Sequence, residues 1–180
     1  MLDTIVKKAL EQGFTVAKVL DCSTLNPMIE VRQMCASDKC QKYGKNWACP
    51  PGCGTLEECT KDIKSYNQGI IVQTVGEIED SFDFEGMADI EEKHRNNFKE
   101  FLEELNKEFS RILPLGAGCC NQCIECSYPN KECRFPKKAM SSMEAFGLLV
   151  SQVCSDNNTP YYYGTGTLAF TGCYLFDGEI

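Results

Sequence analysis

The spacing of apolar residues along the first third of the chain predicts alternating helices and strands. A helix is expected over residues 2–12, ending at Gly13, because its apolar positions recur at helical spacing: Leu2, Ile5, Val6, Ala9 and Leu10. Alternating apolar residues from Phe14 to Leu20 predict a short strand. The β-branched run from Gly69 to Val75 predicts a second strand, buried on both faces.

Between these two strands the pattern indicates one long loop and one capped helix. Residues 21–54 are rich in cysteine and show no regular periodicity. Thr55-Leu-Glu-Glu58 is a capping box, in which each end residue can bond the backbone N–H of the other. A helix of about ten residues is therefore expected to begin there.

The second half of the chain shows a similar order of elements. An apolar stripe predicts one long helix, with these positions on its buried face: Met87, Ile90, Phe98, Phe101, Leu102, Leu105, Phe109 and Ile112. A short strand at 111–117 and a second cysteine loop at Cys119–Cys133 are expected next. A helix should then open at a capping box, Ser141-Ser-Met-Glu144, and end at Asn157-Asn158. Strands are expected at 160–163 and 167–176.

We therefore expect an α/β fold in which a small sheet with helices carries two cysteine-rich, metal-binding loops. The order helix, strand, cysteine loop, helix, strand occurs in residues 1–76 and again in residues 77–180. This repetition suggests a pseudo-duplication inside a single domain, 1–180. Parallel sheets place their sites at loops beyond the strand ends, which is where both cysteine loops would fall.

Cysteine content changes the picture, because 13 of the 180 residues are cysteine. Disulfide scaffolds belong to small secreted domains, whereas a chain of this length can bury a core without them. Residues 1–8 place charges where a signal peptide needs an apolar core, and no apolar run is long enough to cross a membrane. We expect a cytoplasmic protein whose thiols bind metal.

The net charge of −8 arises in one segment. Residues 77–108 carry twelve acidic and four basic side chains, and the rest of the chain is balanced. Nucleic acids and anionic membranes require a basic face, so we expect neither as a partner. Basic residues nevertheless flank the cysteine loops, where they would favour thiolates: Lys39, Lys42, Lys45, Lys131, Arg134, Lys137 and Lys138.

The stronger candidate metal site, here called the C-terminal site, is Cys120-x2-Cys123-x2-Cys126-x6-Cys133. It resembles the cysteine run of ferredoxins, whose two-residue gaps wrap the backbone around a [4Fe-4S] cluster. The last gap of ferredoxins is shorter, and their last cysteine can serve a second cluster, which leaves the assignment of Cys133 open. Cys119 could replace Cys120. Zinc is the alternative, although structural zinc sites usually show two separated CxxC pairs.

The other candidate, the N-terminal site, is Cys35-x4-Cys40-x8-Cys49-x3-Cys53. Its Cys49-Pro50-Pro51 segment has the cysteine–proline junction of ferredoxin loops. Glycines on both sides of Cys53 make it the natural fourth ligand, and Cys59 and Cys22 are alternatives. If none of them binds, one iron stays open to a substrate. Zinc competes more strongly here than at the C-terminal site.

Two segments carry a family resemblance: Cys35…Cys40-x2-Tyr-Gly-Lys-Asn-Trp-Ala-Cys-Pro-Pro51, and Gly118-x-Cys120-x2-Cys-x2-Cys126 with Cys-Arg-Phe-Pro136 and Ser142-Met-Glu-Ala145. On these motifs the chain resembles, over most of its length, a cysteine-rich family of predicted metal-binding proteins from anaerobic bacteria and archaea. The resemblance implies metal binding at Cys35, Cys40, Cys49, Cys120, Cys123, Cys126 and Cys133. It also implies an accessory redox role beside a corrinoid-dependent methyl-transfer system or another redox partner protein.

Three functions stay open on the sequence. The leading one is an iron–sulfur protein with two [4Fe-4S] clusters that transfers electrons in anaerobic metabolism. The others are an iron–sulfur enzyme with an open iron and a structural or sensory zinc module. Whether the chain is an enzyme is undecided, and with a single histidine, His94, we expect neither a Ser–His–Asp nor a Cys–His constellation. We expect His94 at the edge of the core, and Cys154 and Cys173 as ordinary buried thiols.

Overall fold

The fold was analysed on a computed structural model that describes residues 1–179 and the side chains of residues 1–177. Within this range one sheet of five strands has the order β1-β2-β5-β3-β4. The elements, in chain order, are α1 (Leu2–Gln12), β1 (Val16–Val19), α2 (Ile29–Ala36), α3 (Leu56–Ile63), β2 (Gln68–Glu77), α4 (Phe84–Leu105), β3 (Phe109–Gly116), β4 (Ser141–Ser142), α5 (Val150–Asp156) and β5 (Thr167–Glu179). The expected mixed α/β class is confirmed.

The two central strands, β2 and β5, divide their side chains between two hydrophobic cores. Ile70 and Tyr174 belong to the core on one face of the sheet, and Ile71 and Cys173 to the core on the other. All four side chains are fully buried. This alternation follows from the two-residue period of a strand, and it confirms the prediction that the strand in residues 69–75 is buried on both faces.

Helices α1 and α4 cover the first face. Ile5 of α1 packs in the same core as Phe98 and Phe101 of α4. Tyr174 of β5 stacks on Phe98 with ring centroids 4.2 Å apart and donates its hydroxyl hydrogen to the carbonyl of Phe98 at 2.7 Å. Helix α1 ends at Gly13, whose φ of 108° closes the last turn, as the sequence predicts.

Helices α3 and α5 pack in the core of the second face, where Ile63 and Val153 are buried. The predicted capping box at the start of α3 is present in full. Thr55 Oγ1 accepts from the N–H of Glu58 at 3.2 Å, and a carboxylate oxygen of Glu58 accepts from the N–H of Thr55 at 2.7 Å. The N-terminus of α3 is therefore fixed by local bonds.

The sheet differs from expectation in direction. Neighbouring strands are antiparallel throughout the described residues except where β4 pairs with β3, with Leu115 opposite Ser141. The parallel arrangement used to place the cysteine loops is therefore wrong for most of the sheet. The pseudo-duplication is not confirmed either, because β5 pairs with both β2 and β3 and thus joins the two halves.

Several element boundaries also differ. The long helix α4 ends at Leu105, and Phe109 and Ile112 lie in β3, where they continue the apolar pattern as strand residues. The predicted loop over residues 21–54 contains α2, whose only buried residue among those described is Val31, so its periodicity is weak. Residues 160–163 are not a strand, whereas the strand predicted at 167–176 is present as part of β5.

The second capping box is wrong. Ser142 accepts from the N–H of Ala145 at 3.0 Å, and only a short 3-10 turn, Glu144–Phe146, follows. Gly147 then adopts a φ of 80°, which ends the turn, and α5 begins at Val150. A Cβ on Gly147 would lie 2.7 Å from Leu56 Cδ1, so packing against α3 holds the chain in this path.

Both cysteine loops lie at one end of the fold. The second loop leaves β3 after Gly116 and returns through β4 beside it. The first loop connects α2 to α3 and lies over the 3-10 turn 144–146, since Cys53 Sγ is 3.7 Å from the carbonyl oxygen of Ala145. Within residues 1–179, the helices are too short or too polar to cross a membrane.

Candidate metal centre

The second cysteine loop lines an open cavity of about 590 Å³. Five cysteines contribute to its wall: Cys119, Cys120, Cys123, Cys126 and Cys133. Residues 41, 42 and 44–48 of the first loop line the cavity as well. The cavity is therefore shared by the two loops, and all four predicted ligands of the C-terminal site lie around it.

A buried asparagine that lines this cavity joins the two loops. Asn46 Nδ2 donates to the carbonyl oxygen of Cys120 at 3.1 Å, while its Oδ1 accepts from the N–H of Ala48 at 2.8 Å. Both ends of the side-chain amide are thus used, one on each loop. Because a buried amide is costly to leave unpaired, Asn46 fixes the loops relative to each other.

An aromatic pair joins the loops a second time. Trp47 meets Tyr128 edge to face, with ring centroids 4.8 Å apart. The indole N–H of Trp47 donates to the carbonyl oxygen of Lys131 at 2.9 Å. Edge-to-face aromatic pairs add stabilisation beyond their buried area. These two contacts anchor the first loop to the second.

The first loop folds tightly around Cys49. The N–H of Gly44 bonds the carbonyl of Pro50 at 2.8 Å, and the N–H of Cys53 bonds the carbonyl of Cys49 at 3.0 Å. A Cβ on Gly52 would lie 2.5 Å from the carbonyl oxygen of Asn46, so only glycine fits there. The loop therefore buries Cys49 and leaves Cys40 exposed.

The pKa of the Cys49 thiol is affected by thiols from both cysteine loops. Burial is the largest cause that raises the pKa of its thiol, and together with the nearby thiols of Cys119, Cys40, Cys35 and Cys120 it brings that pKa to about 12. A thiolate at this position would thus need a cation close by. Three of the predicted N-terminal ligands, Cys35, Cys40 and Cys49, are thus electrostatic neighbours.

The thiol of Cys119 lies in the same environment. Burial raises its pKa, the ammonium of Lys42 lowers it, and the thiols of Cys40 and Cys120 raise it. Lys42 comes from the first loop and Cys119 from the second. The charge of Lys42 would favour a thiolate at Cys119.

Cys53, the expected fourth ligand, has different partners. Its thiol hydrogen-bonds with the thiol of Cys59, which raises its pKa, and it lies 3.7 Å from the carbonyl oxygen of Ala145. Arg32 Nη1 donates to Cys59 Sγ at 3.4 Å, and Arg32 also bonds the carbonyl of Gly54. Cys49 remains a neighbour of Cys53. Arg32 of α2 thus stabilises the position of the Cys53 and Cys59 pair.

The three remaining cysteines lie in or against the core on the second face of the sheet. Cys154 and Cys173 are fully buried, as expected for ordinary core thiols. Cys22, an alternative ligand on the sequence, is half-buried near Gly69 of β2 and is an electrostatic neighbour of Cys173. Burial and the adjacent Asp21 raise the pKa of Cys22 to about 11. His94 is buried in the core.

Among the described side chains, no three of His, Cys, Asp or Glu come close enough together to hold a single metal ion. A tetrahedral zinc ion bound at about 2.3 Å would hold its sulfurs only about 3.8 Å apart. The five thiols named above are instead spread along the wall of the cavity. The electrostatic contact of Cys119 with Cys40 of the first loop was not predicted from the sequence. Spacing within one loop carries no information on its neighbours in another loop.

Comparison with known proteins bears on the metal. Neither the curated proteins nor the solved structures give a match to this chain. A family model described as "Predicted metal-binding protein (DUF2284)" matches residues 18–176, a span that includes every cysteine. The organisms and the ferredoxin-like motifs of the expected family are not part of this match. The chain belongs to DUF2284, a family of predicted metal-binding proteins.

Proposed function

We propose that this protein holds two [4Fe-4S] clusters at its two cysteine loops and transfers single electrons to a redox partner protein. The observation that carries the proposal is the cavity of about 590 Å³ whose wall includes five cysteines. The C-x2-C-x2-C spacing in this wall matches that of cluster-binding loops. Family membership supports metal binding in general.

The width of the site supports a cluster over a single ion. A structural zinc site gathers four ligands tightly around one atom, and the described side chains form no such group. A cubane lies between its four thiolates and keeps them further apart than one ion does. The donors are thiols, which are the ligands that iron–sulfur clusters use.

Charges around the cavity suit an anionic cluster. Lys42 and Lys45 line it from the first loop. Arg134 is tied to the second loop through its bond to the carbonyl of Glu125, at 2.8 Å. Cations near a cluster and hydrogen bonds to its sulfurs raise its reduction potential, because they stabilise the more negative, reduced state.

The rim of the cavity offers a contact for the redox partner. Ile124 lines the cavity in the middle of the cysteine run and is fully exposed. Phe135, two residues after Cys133 in the sequence, is 45% exposed. An apolar rim beside a cluster allows a partner to exclude water at the point of electron transfer. The corrinoid methyl-transfer system implied by the sequence resemblance is one such partner system.

Metal analysis of protein purified without oxygen tests the proposal. We expect about eight iron atoms and eight inorganic sulfides per chain, and a brown solution whose visible absorption bleaches on reduction. Stoichiometric zinc without sulfide would contradict the proposal and favour the structural zinc module. Four irons would show that one of the two sites binds no cluster.

A further inference from the structure

We infer that a second cavity, here called the anion cavity, binds small organic dianions, in which an apolar body carries a phosphate monoester or two carboxylates. This cavity has a volume of about 830 Å³, which is within the usual range of small-molecule sites. The inference goes beyond the proposed function, because binding of such a ligand does not depend on which metal the thiols hold.

The anion cavity is formed where three parts of the fold meet. Helix α4 contributes residues of its last two turns, and β3 contributes residues along the strand that precede its short pairing with β4. The remaining lining comes from the second cysteine loop and the segment that follows it, at residues 122 and 136–139. Gln122 and Ala139 also line the cysteine cavity, so the two cavities are adjacent.

Part of the lining is apolar and held in place by the core. Leu102 of α4 and Phe109 of β3 line the anion cavity, although both are almost fully buried among the residues of the first core. Ile112 and Pro114 add half-buried apolar surface from the same strand. An apolar ligand body would displace water from this surface, which favours binding.

The charged lining is mostly cationic, although the protein has a net charge of −8. Four cationic side chains and one carboxylate line the anion cavity: Lys99, Arg111, Lys137, Lys138 and Glu103. Lys138 forms an ion pair with Glu103 at 2.7 Å. Lys99 and Lys137 form no ion pair with any side chain of residues 1–177. Two ammonium groups are thus left for a ligand, which is why we infer two negative charges on it.

The guanidinium of Arg111 is held in place by its neighbours. It lies over the ring of Tyr66, 4.6 Å from the centroid, and Nη2 donates to the hydroxyl oxygen of Ser65 at 2.7 Å. Nη1 is 3.4 Å from a carboxylate oxygen of Asp177, which offsets part of its charge. A cation that is already positioned loses little side-chain entropy when a ligand binds. Arg111 therefore supplies a preorganised positive charge beside the two lysines.

Isothermal titration calorimetry of the metal-containing protein, purified without oxygen, tests the inference with three probes. Phenyl phosphate has both the charge and the apolar body, inorganic phosphate has only the charge, and benzyl alcohol has only the body. Phenyl phosphate should bind at one site, more tightly than either of the others, and its affinity should fall as salt is added. Affinity equal to that of inorganic phosphate, or no binding, would overturn the inference. Benzylsuccinate, a dicarboxylate, shows in the same assay which anionic group is preferred.

Matched variants locate the binding in the anion cavity. Lys99→Gln and Lys137→Gln should each weaken the binding of phenyl phosphate about fivefold, as expected for one exposed ion pair. Lys93→Gln is the control, because Lys93 is an exposed residue of the same helix that does not line the cavity. Its dissociation constant should equal that of the wild type. Equal weakening in all three variants would reveal a general effect of charge and would overturn the assignment of the site. Circular dichroism checks that each variant is folded.

A hexaglutamate peptide tests the other occupant that cationic side chains suit, an acidic segment of a partner protein. Tighter binding of this peptide than of phenyl phosphate would overturn the small-molecule site in favour of a protein-docking surface. Calorimetry measures binding whether or not the protein contains iron and sulfide. A protein without clusters that binds phenyl phosphate would therefore refute only the proposed function, and a protein with clusters that does not bind it would refute only this inference.

Discussion

The only histidine in the sequence makes the protein's stability depend on pH in a way that one substitution should remove. His94 is 2% exposed and shares a 3.0 Å hydrogen bond with the hydroxyl of Thr74 through Nδ1, while Nε2 has no partner among the described residues. Aromatic rings surround it, with Phe14 and Phe98 both 5.8 Å away. Burial lowers the pKa of His94 to about 4.

The sign and size of the effect follow from linkage. Below the unfolded-state pKa of about 6.5 the unfolded chain binds a proton that the folded chain does not, so stability falls as the pH drops from 6.5 toward 4. Lowering the pH from 7 to 5 should cost the wild type about 2 kcal/mol from this residue. For a chain of this size that corresponds to about 4–8 °C in Tm.

The perturbation is His94→Phe, which keeps an aromatic ring in the aromatic pocket and removes the titrating group. Thermal melts of the holoprotein at one scan rate, without oxygen, at pH 7 and pH 5 measure the difference in Tm between variant and wild type. We expect the Tm of the variant minus the Tm of the wild type to be about 4–8 °C higher at pH 5 than at pH 7. Loss of metal at low pH acts on both proteins and cancels in this difference.

Thr74→Val is the matched control, because it removes the same hydrogen bond and keeps the imidazole. It should lower the Tm by a similar amount at both pH values. If the His94→Phe variant and the wild type differ by the same Tm at pH 7 and pH 5, the buried histidine is not the source of the pH dependence.

Three further predictions concern the loops. Trp47→Phe keeps the ring contact with Tyr128 but loses the N–H bond to the Lys131 carbonyl. A chelator should therefore remove iron from the variant about fivefold faster than from the wild type, which corresponds to about 1 kcal/mol. An unchanged rate would contradict the anchoring role. Gly52→Ala places a Cβ 2.5 Å from a backbone oxygen and should lower the iron content of the purified protein. Gly44→Ala is the control: its new Cβ would meet no atom within 4 Å, so the iron content should be retained despite a strained φ. Metal removal should raise amide hydrogen exchange in residues 35–54 and 117–139 and leave β2 and β5 protected; equal exchange in the two forms would show that metal does not order the loops.

Local signals predicted the elements that depend on a few neighbouring residues. Helix α1 with its Gly13 end, and α3 with its Thr55 capping box, appear as the sequence indicates. The same capping pattern at Ser141 failed, because a parallel pairing with β3 and the close approach of α3 at Gly147 override it. A capping box therefore predicts a helix only where tertiary contacts leave the backbone free to form one.

Non-local features could not be predicted from spacing. The position of β5 between β2 and β3 pairs Ile70 with Tyr174, and no local pattern encodes that choice. The arrangement of the cysteines is similar. Spacing within one loop suggested Cys53 beside Cys49, whereas the neighbour with the largest effect on Cys49 comes from the other loop. Asn46 belongs to the segment that carries the family resemblance, but nothing in that segment predicts its bond to the other loop.

The central position of β5 has a consequence for how the protein is made. Synthesis proceeds from the N-terminus, so β2 and the first cysteine loop leave the ribosome long before the strand that completes the sheet. During that interval the edge of β2 is unpaired and the cysteines lack the scaffold that brings the loops together. A nascent chain thus exposes free thiols and an apolar strand edge at the same time. On the proposed function, cluster insertion would follow the pairing of β5, and exposure to oxygen before that step would oxidise the thiols.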